Sequence, residues 1–243
     1  MAGTVVVGYL DTERGRDALT LGEILARAQG ARLDVVTIAE GETLATAARE
    51  HGADLVVLGS THRGPVGRIV PGTTMEHLLG GAPVPVAVAP PGFADRARTE
   101  SPWLPLDGDG EDAGMRVIGV GYDGSPGSRA ALAYATDLAR RNGAALRVYT
   151  VVRKAVPIAP DAPMTPSPTA PTELDARRAE LHEAVASLPP EVRAQPVLLR
   201  GFPVPELVKA ASLGVDLLIL GTHVRGHVRR LLHKNVAGEV ALE

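Results

Sequence analysis

TVVVGYLDTERGRDALTLGEILARAQGARLDVVTI, Thr4 to Ile38, and VIGVGYDGSPGSRAALAYATDLARRNGAALRVYTV, Val117 to Val151, align without a gap at an offset of 113 residues. Each opens on a short apolar run ending in turn residues, the form of a strand buried on both faces of a parallel sheet. A helical pattern follows in both. In the later stretch Ser125 is placed to cap that helix, Pro126 fits its first turn, and Leu132, Ala135 and Ala139 share one face up to Asn142-Gly143. A second apolar run, Leu33 to Ile38 or Leu146 to Val152, closes each stretch.

The repeat extends further along the chain. ADLVVLGSTHRGPVGRIVPGTT from Ala53 matches VDLLILGTHVRGHVRRLLHKNV from Val215, now at an offset of 162. The later copy therefore carries 49 residues between its blocks that the earlier one lacks. They include PIAPDAPMTPSPTAPT, too rich in proline for a helix or a central strand. Leu174, Leu181, Val185 and Leu188 then recur at helical spacing behind Thr172 and Asp175, which resemble a capping box, and the strand candidate PVLLR ends at Gly201. Between the copies, residues 91–114 are rich in Pro, Gly and acid without periodicity and read as a linker. The expected organisation is a first domain over residues 1–90, a linker over 91–114 and a second domain over 115–243. Strand and helix alternating through short links imply parallel sheets with right-handed crossovers. The fold class is α/β, with two Rossmann-like domains in tandem and the first abbreviated.

Composition narrows the function. The chain has 243 residues, 25 Lys+Arg against 28 Asp+Glu, and no Cys. A net charge of −3 without a basic run gives no electrostatic footing on a nucleic-acid backbone or an anionic membrane, so neither is expected as a partner. Absence of cysteine removes disulfides, thiolate nucleophiles and Cys-based zinc sites, and fits a reducing compartment. The opening MAGTVVVGYLDTERG lacks a basic segment and is broken by Asp11 and Glu13, and no apolar stretch reaches membrane-spanning length; a cytoplasmic protein is expected.

GYDGSPGSRAALAYA after a strand, ADLVVLGS running into a Gly-rich loop with Gly-Thr opening a helix, and PVPVAVAP at the end of the first copy together resemble the universal stress protein family, with two copies of its domain in one chain. The resemblance covers nearly everything except the linker. It implies an adenine nucleotide α-hydrolase-like fold, a role in the stress response, and an adenine nucleotide, ATP, over the carboxyl ends of the strands, where open parallel sheets place ligands. Magnesium would arrive only with the nucleotide. In that family the Val84 to Ala89 strand pairs across the interface between two such domains, which implies pairing either with a further C-terminal strand of this chain or with a second molecule in a homodimer.

The family's phosphate loop follows the pattern Gly-x2-Gly-x9-Gly-Ser/Thr. Its chemistry is intelligible: glycines admit phosphates close to backbone N–H groups, the helix N-terminus adds partial positive charge, and the last residue supplies a hydroxyl donor. In the first copy it falls on Gly59, His62, Gly72 and Thr73. His62 replaces a glycine, either crowding the phosphates or donating to them through its imidazole. The second copy has Gly221, Val224, Lys234 and Asn235 at these places, so most of its loop is lost. An acidic contact to the adenosine part falls on Asp123 in the second copy, where the first has Leu10. Backbone contacts to the base fall on Ile38 and Val151. Each copy thus keeps part of a site. Three functions stay open: nucleotide binding, a dimerising scaffold without nucleotide, and slow ATP hydrolysis, for which no catalytic residue is singled out.

Other motifs carry less. Gly119-x-Gly121-x-x-Gly124 matches a dinucleotide fingerprint, but the next strand ends in Val151-Val152-Arg153 without the acidic residue that holds a ribose. His223, His227 and His233 are interleaved with Arg225, Arg229 and Arg230, whose charge opposes a divalent cation. No GK[ST] ending marks a P-loop.

Overall fold

The computed structural model describes residues 3–37, 44–59, 84–99, 115–153 and 170–221. They form two compact units that divide between Gly114 and Met115.

The first unit runs β1 (Thr4–Tyr9), α1 (Glu13–Gln29), β2 (Arg32–Thr37), α2 (Leu44–Glu50), β3 (Leu55–Gly59), β4 (Val86–Ala89) and α3 (Phe93–Thr99). Its strands are all parallel, in the order β2-β1-β3-β4. β1 and β3 are central, which is why both read as unbroken apolar runs: Val5, Val6, Val7, Val56 and Val57 are fully buried. α1 is capped by the Thr12 hydroxyl, which accepts the Gly15 N–H at 3.3 Å, and stops at Gly30, whose φ of 60° lies in the left-handed region.

The second unit runs β5 (Val117–Gly121), α4 (Pro126–Asn142), β6 (Ala145–Val152), α5 (Ala170–Ala186), β7 (Ala194–Arg200), α6 (Pro203–Ala211) and β8 (Leu217–Leu220). The order is β7-β6-β5-β8, again parallel. Ser125 caps α4 by accepting the Ser128 N–H at 3.2 Å, and Leu132, Ala135 and Ala139 are buried as their spacing requires. The fold class is as the sequence implied.

Removing β7 from the second sheet leaves β6-β5-β8, the counterpart of β2-β1-β3 in the first. The 49 additional residues are therefore one excisable block, α5 with β7 and the segment leading into them. β6 pairs with β7 from Leu146 to Val152, whereas β2 is the outermost strand of its sheet among the described residues. Val35 of β2 is 48% exposed, and its counterpart Val148 of β6 is 0% exposed.

Two sequence expectations are corrected. Residues 91–114 were expected to be linker throughout, but Phe93–Thr99 is helical and packs on α1. Asp17 of α1, 3% exposed, accepts the N–H groups of Gly92 at 3.0 Å and Ala94 at 2.8 Å, fixing the start of α3. Residues this far apart leave no local periodicity to read. Thr172 and Asp175 were expected to open a helix; α5 begins at Ala170, which places Thr172 inside its first turn.

Candidate functional site

In each sheet the strand order reverses between two neighbours, β1 and β3 in the first unit and β5 and β8 in the second. Loops leaving the carboxyl ends of such a pair diverge to opposite faces and open a crevice, the place where α/β sheets hold ligands. Gly59 ends β3 and Gly221 immediately follows β8, so both phosphate-loop patterns start at this reversal.

Both glycines also have a packing role that the sequence did not disclose. A β-carbon on Gly59 would overlap the backbone carbonyl of Arg14, and one on Gly221 would overlap that of Gly127. Arg14 and Gly127 are counterparts at the offset of 113 residues. In both units the first turn of a helix closes directly onto the end of a strand, and only glycine lets it do so.

The second unit brings Asp123 and Gly221 together against that turn. The Asp123 N–H donates to the Ser128 hydroxyl at 3.3 Å, and a β-carbon on Gly221 would lie 2.5 Å from the Ser128 nitrogen. Asp123 itself is exposed. Its Oδ1 accepts the Ser125 N–H at 3.0 Å, closing an Asx turn, and the Ser128 hydroxyl donates to the Ser125 carbonyl at 3.1 Å. Two guanidinium groups border the loop: Arg129 donates to the Gly124 carbonyl and Arg177 of α5 to the Asp123 carbonyl at 3.5 Å. Arg177 is also paired with Glu180 at 2.9 Å, whose carboxylate packs against Gly124.

The corresponding loop of the first unit relies on one side chain, the Thr12 hydroxyl that caps α1, and otherwise on backbone. Leu10 occupies the place of Asp123, Thr12 that of Ser125 and Gly15 that of Ser128. The Thr12 N–H now donates to the Leu10 carbonyl at 2.8 Å, and that carbonyl fills the space where Gly15 would carry a β-carbon. Leu10 is left 57% exposed just beyond the carboxyl end of β1.

Val151 lies in β6 opposite Leu199, half-buried. Ile38, His62, Gly72 and Thr73 lie outside the described residues, as do Val224, Lys234, Asn235 and the histidines from His223 onward. Among the described residues no three His, Asp or Glu side chains are arranged to hold a metal ion, and no helix is long and apolar enough to cross a membrane.

Sequence reasoning missed an acidic pair at the opposite end of the sheets. Asp216 Oδ2 accepts the N–H groups of Arg116 at 2.7 Å and Val117 at 2.8 Å, and its counterpart Asp54 accepts that of Thr4 at 2.8 Å. Each anchors the first strand of its unit to the strand beside it, β1 to β3 and β5 to β8. Their recurrence in ADLVVLG and VDLLILG was the available signal.

Each unit is an open, parallel α/β layer whose strand order reverses between its first strand and β3 or β8. The model of the universal stress protein family matches residues 39–90 and 114–243. A universal stress protein of Mycolicibacterium smegmatis is 30% identical over 198 residues, 78% of this chain and 58% of that protein, so the match spans little more than half of the relative's length. Solved structures agree in fold. A universal stress protein from Archaeoglobus fulgidus gives a TM-score of 0.56 at 14% identity, over 97% of this chain and 91% of its own. A protein of Pseudomonas aeruginosa assigned to the same family gives 0.61 at 16% identity, over 99% and 89%. This chain belongs to the universal stress protein family.

Proposed function

We propose that the chain is a cytoplasmic stress-response protein that binds an adenine nucleotide, ATP, chiefly in its first unit, and that it acts as a homodimer. The observation that carries the nucleotide reading is the position of Gly59 at the carboxyl end of β3, beside β1, where the strand order reverses and the phosphate-loop pattern begins. Gly72 and Thr73 would supply the close backbone approach and the hydroxyl, His62 would donate to a phosphate, and Ile38 would meet the base through its backbone. Magnesium would be held by the nucleotide rather than by the protein.

In the second unit Gly221, Asp123 and Val151 are the remaining contacts. Asp123 would act there without the glycines that admit phosphates, so this crevice contributes less. The dimer would form along the outer edge of β4, which pairs with β3 on its inner side and is the last strand of its sheet among the described residues. Neither a nucleic acid nor a membrane surface is part of this reading.

A second reading is a nucleotide-free scaffold. It is favoured by the engagement of the Asp123 carboxylate within its own turn and by the hydrophobic Leu10 in the corresponding place. Thermal unfolding with and without ATP separates the two. At millimolar ligand a micromolar binder gains about 3 to 4 kcal/mol, a shift of many degrees. An unchanged transition would leave the scaffold.

A further inference from the structure

The outer edge of β4 is fixed from an unexpected direction. Between Ala89, the last residue of β4, and Phe93, the first of α3, stand only Pro90, Pro91 and Gly92. The prolines lock two backbone torsions, Gly92 takes a left-handed φ of 70°, and the Phe93 N–H donates to the Pro90 carbonyl at 3.2 Å. A connection this short and stiff transmits the position of α3 to the end of the strand. α3 is held on α1 by Ala94 and Ala97, 6% and 4% exposed, and by the Asp17 carboxylate, which takes one N–H on each oxygen. The place of Asp17 is taken in α4 by Ala130, which is exposed. The feature therefore belongs to the unit that contains β4 and α3.

We infer that Asp17 is a positioning residue for the outer edge of β4, acting through α3, and that a second copy of this chain pairs along that edge only while α3 is docked. The dimer half of this inference rests on the homodimer reading above; the coupling of Asp17 to β4 does not. β4 is the shortest strand of its sheet and pairs with β3 at four positions, Val56 with Val86 through Gly59 with Ala89. So short an edge needs support at its end to present an ordered row of backbone groups to a partner.

Hydrogen exchange and light scattering on the full chain test both halves. In D17A, amides of residues 86–89 and 93–99 should exchange at least tenfold faster, while those of Val5 to Val7 and of the second unit keep their protection. D17N, which retains one acceptor oxygen, should fall between D17A and the parent chain. The dimer dissociation constant should rise at least tenfold in D17A. Leu25→Ala serves as a control that weakens the α1 packing without removing the α3 anchor, and should leave the dimer intact while the chain is folded.

Faster exchange over 93–99 with no change at 86–89 would overturn the coupling. An unaltered dimer in D17A would overturn the link to pairing. A parent chain that stays monomeric would overturn the homodimer reading, and exchange would still decide the role of Asp17. Should D17A fail to fold, D17N carries the same comparison.

Discussion

β2 and β6 are counterparts that live in different surroundings. β6 is flanked by β5 and β7 and buries Val148 completely, whereas β2 is, among the described residues, the last strand of its sheet and leaves Val35 half exposed. The difference is one excised block at the end of a sheet. Taking out an edge strand together with its helix leaves every remaining parallel pairing intact, which explains how two copies so unequal in length keep the same central order. The loops at the crevice teach a second lesson. An Asp, a Ser and a Ser shape the turn after β5, and Leu10, Thr12 and Gly15 reach a corresponding turn after β1 with the Leu10 carbonyl in place of the Asp123 carboxylate as acceptor.

The largest effect should come from the position at which the two units agree. Gly59→Ala and Gly221→Ala each force a β-carbon into a backbone carbonyl, and each should cost about 3 kcal/mol. Denaturant unfolding without nucleotide checks this; two unperturbed transitions would show that these glycines serve a ligand and not the packing.

Where the units differ, paired substitutions should diverge. Val148→Thr buries a hydroxyl in a fully enclosed site and should cost about 2 kcal/mol, while Val35→Thr should stay within about 0.5 kcal/mol. Equal losses would mean that β2 is enclosed in solution. Asp216→Ala removes an acceptor from two N–H groups and should cost about 2 kcal/mol, against about 1 kcal/mol for Asp54→Ala, which removes it from one.

The smallest effect concerns a feature of α4 alone. Asp137 is held below the usual carboxylate range by hydrogen bonds from Arg141 and Arg140. A lowered folded-state value means that its contribution is present above the unfolded carboxyl's range and fades as pH falls through the folded value. These are exposed pairs, so Asp137→Asn should cost about 0.3 to 0.5 kcal/mol at neutral pH and nothing in strong acid. Urea titrations at two pH values resolve it.

Most of the architecture was legible because a strand, its turn and its helix are local patterns, and because two constant offsets separated what is shared from what is inserted. Ser125 through its hydroxyl, and Pro126 and Gly143 through their backbone conformations, marked α4 at both ends. α3 was not legible. PGFADRART looks like a linker because its anchor, Asp17, lies more than seventy residues upstream on a helix face where an acid normally meets water. The crevice was half legible: Gly59, Gly221 and Asp123 stand at the strand-order reversals, but that the two glycines also admit a helix turn requires knowing which backbone lies opposite. Ile38, His62, Gly72 and Thr73 rest on the family resemblance.

The nucleotide reading meets its most direct test in equilibrium titration of ATP into the parent chain, Gly72→Val and Asp123→Ala. The account predicts one ATP per chain, lost in Gly72→Val, where a side chain fills phosphate space, and retained with at most a few-fold weakening in Asp123→Ala. Binding that survives Gly72→Val and disappears in Asp123→Ala would move the site to the second unit and contradict it.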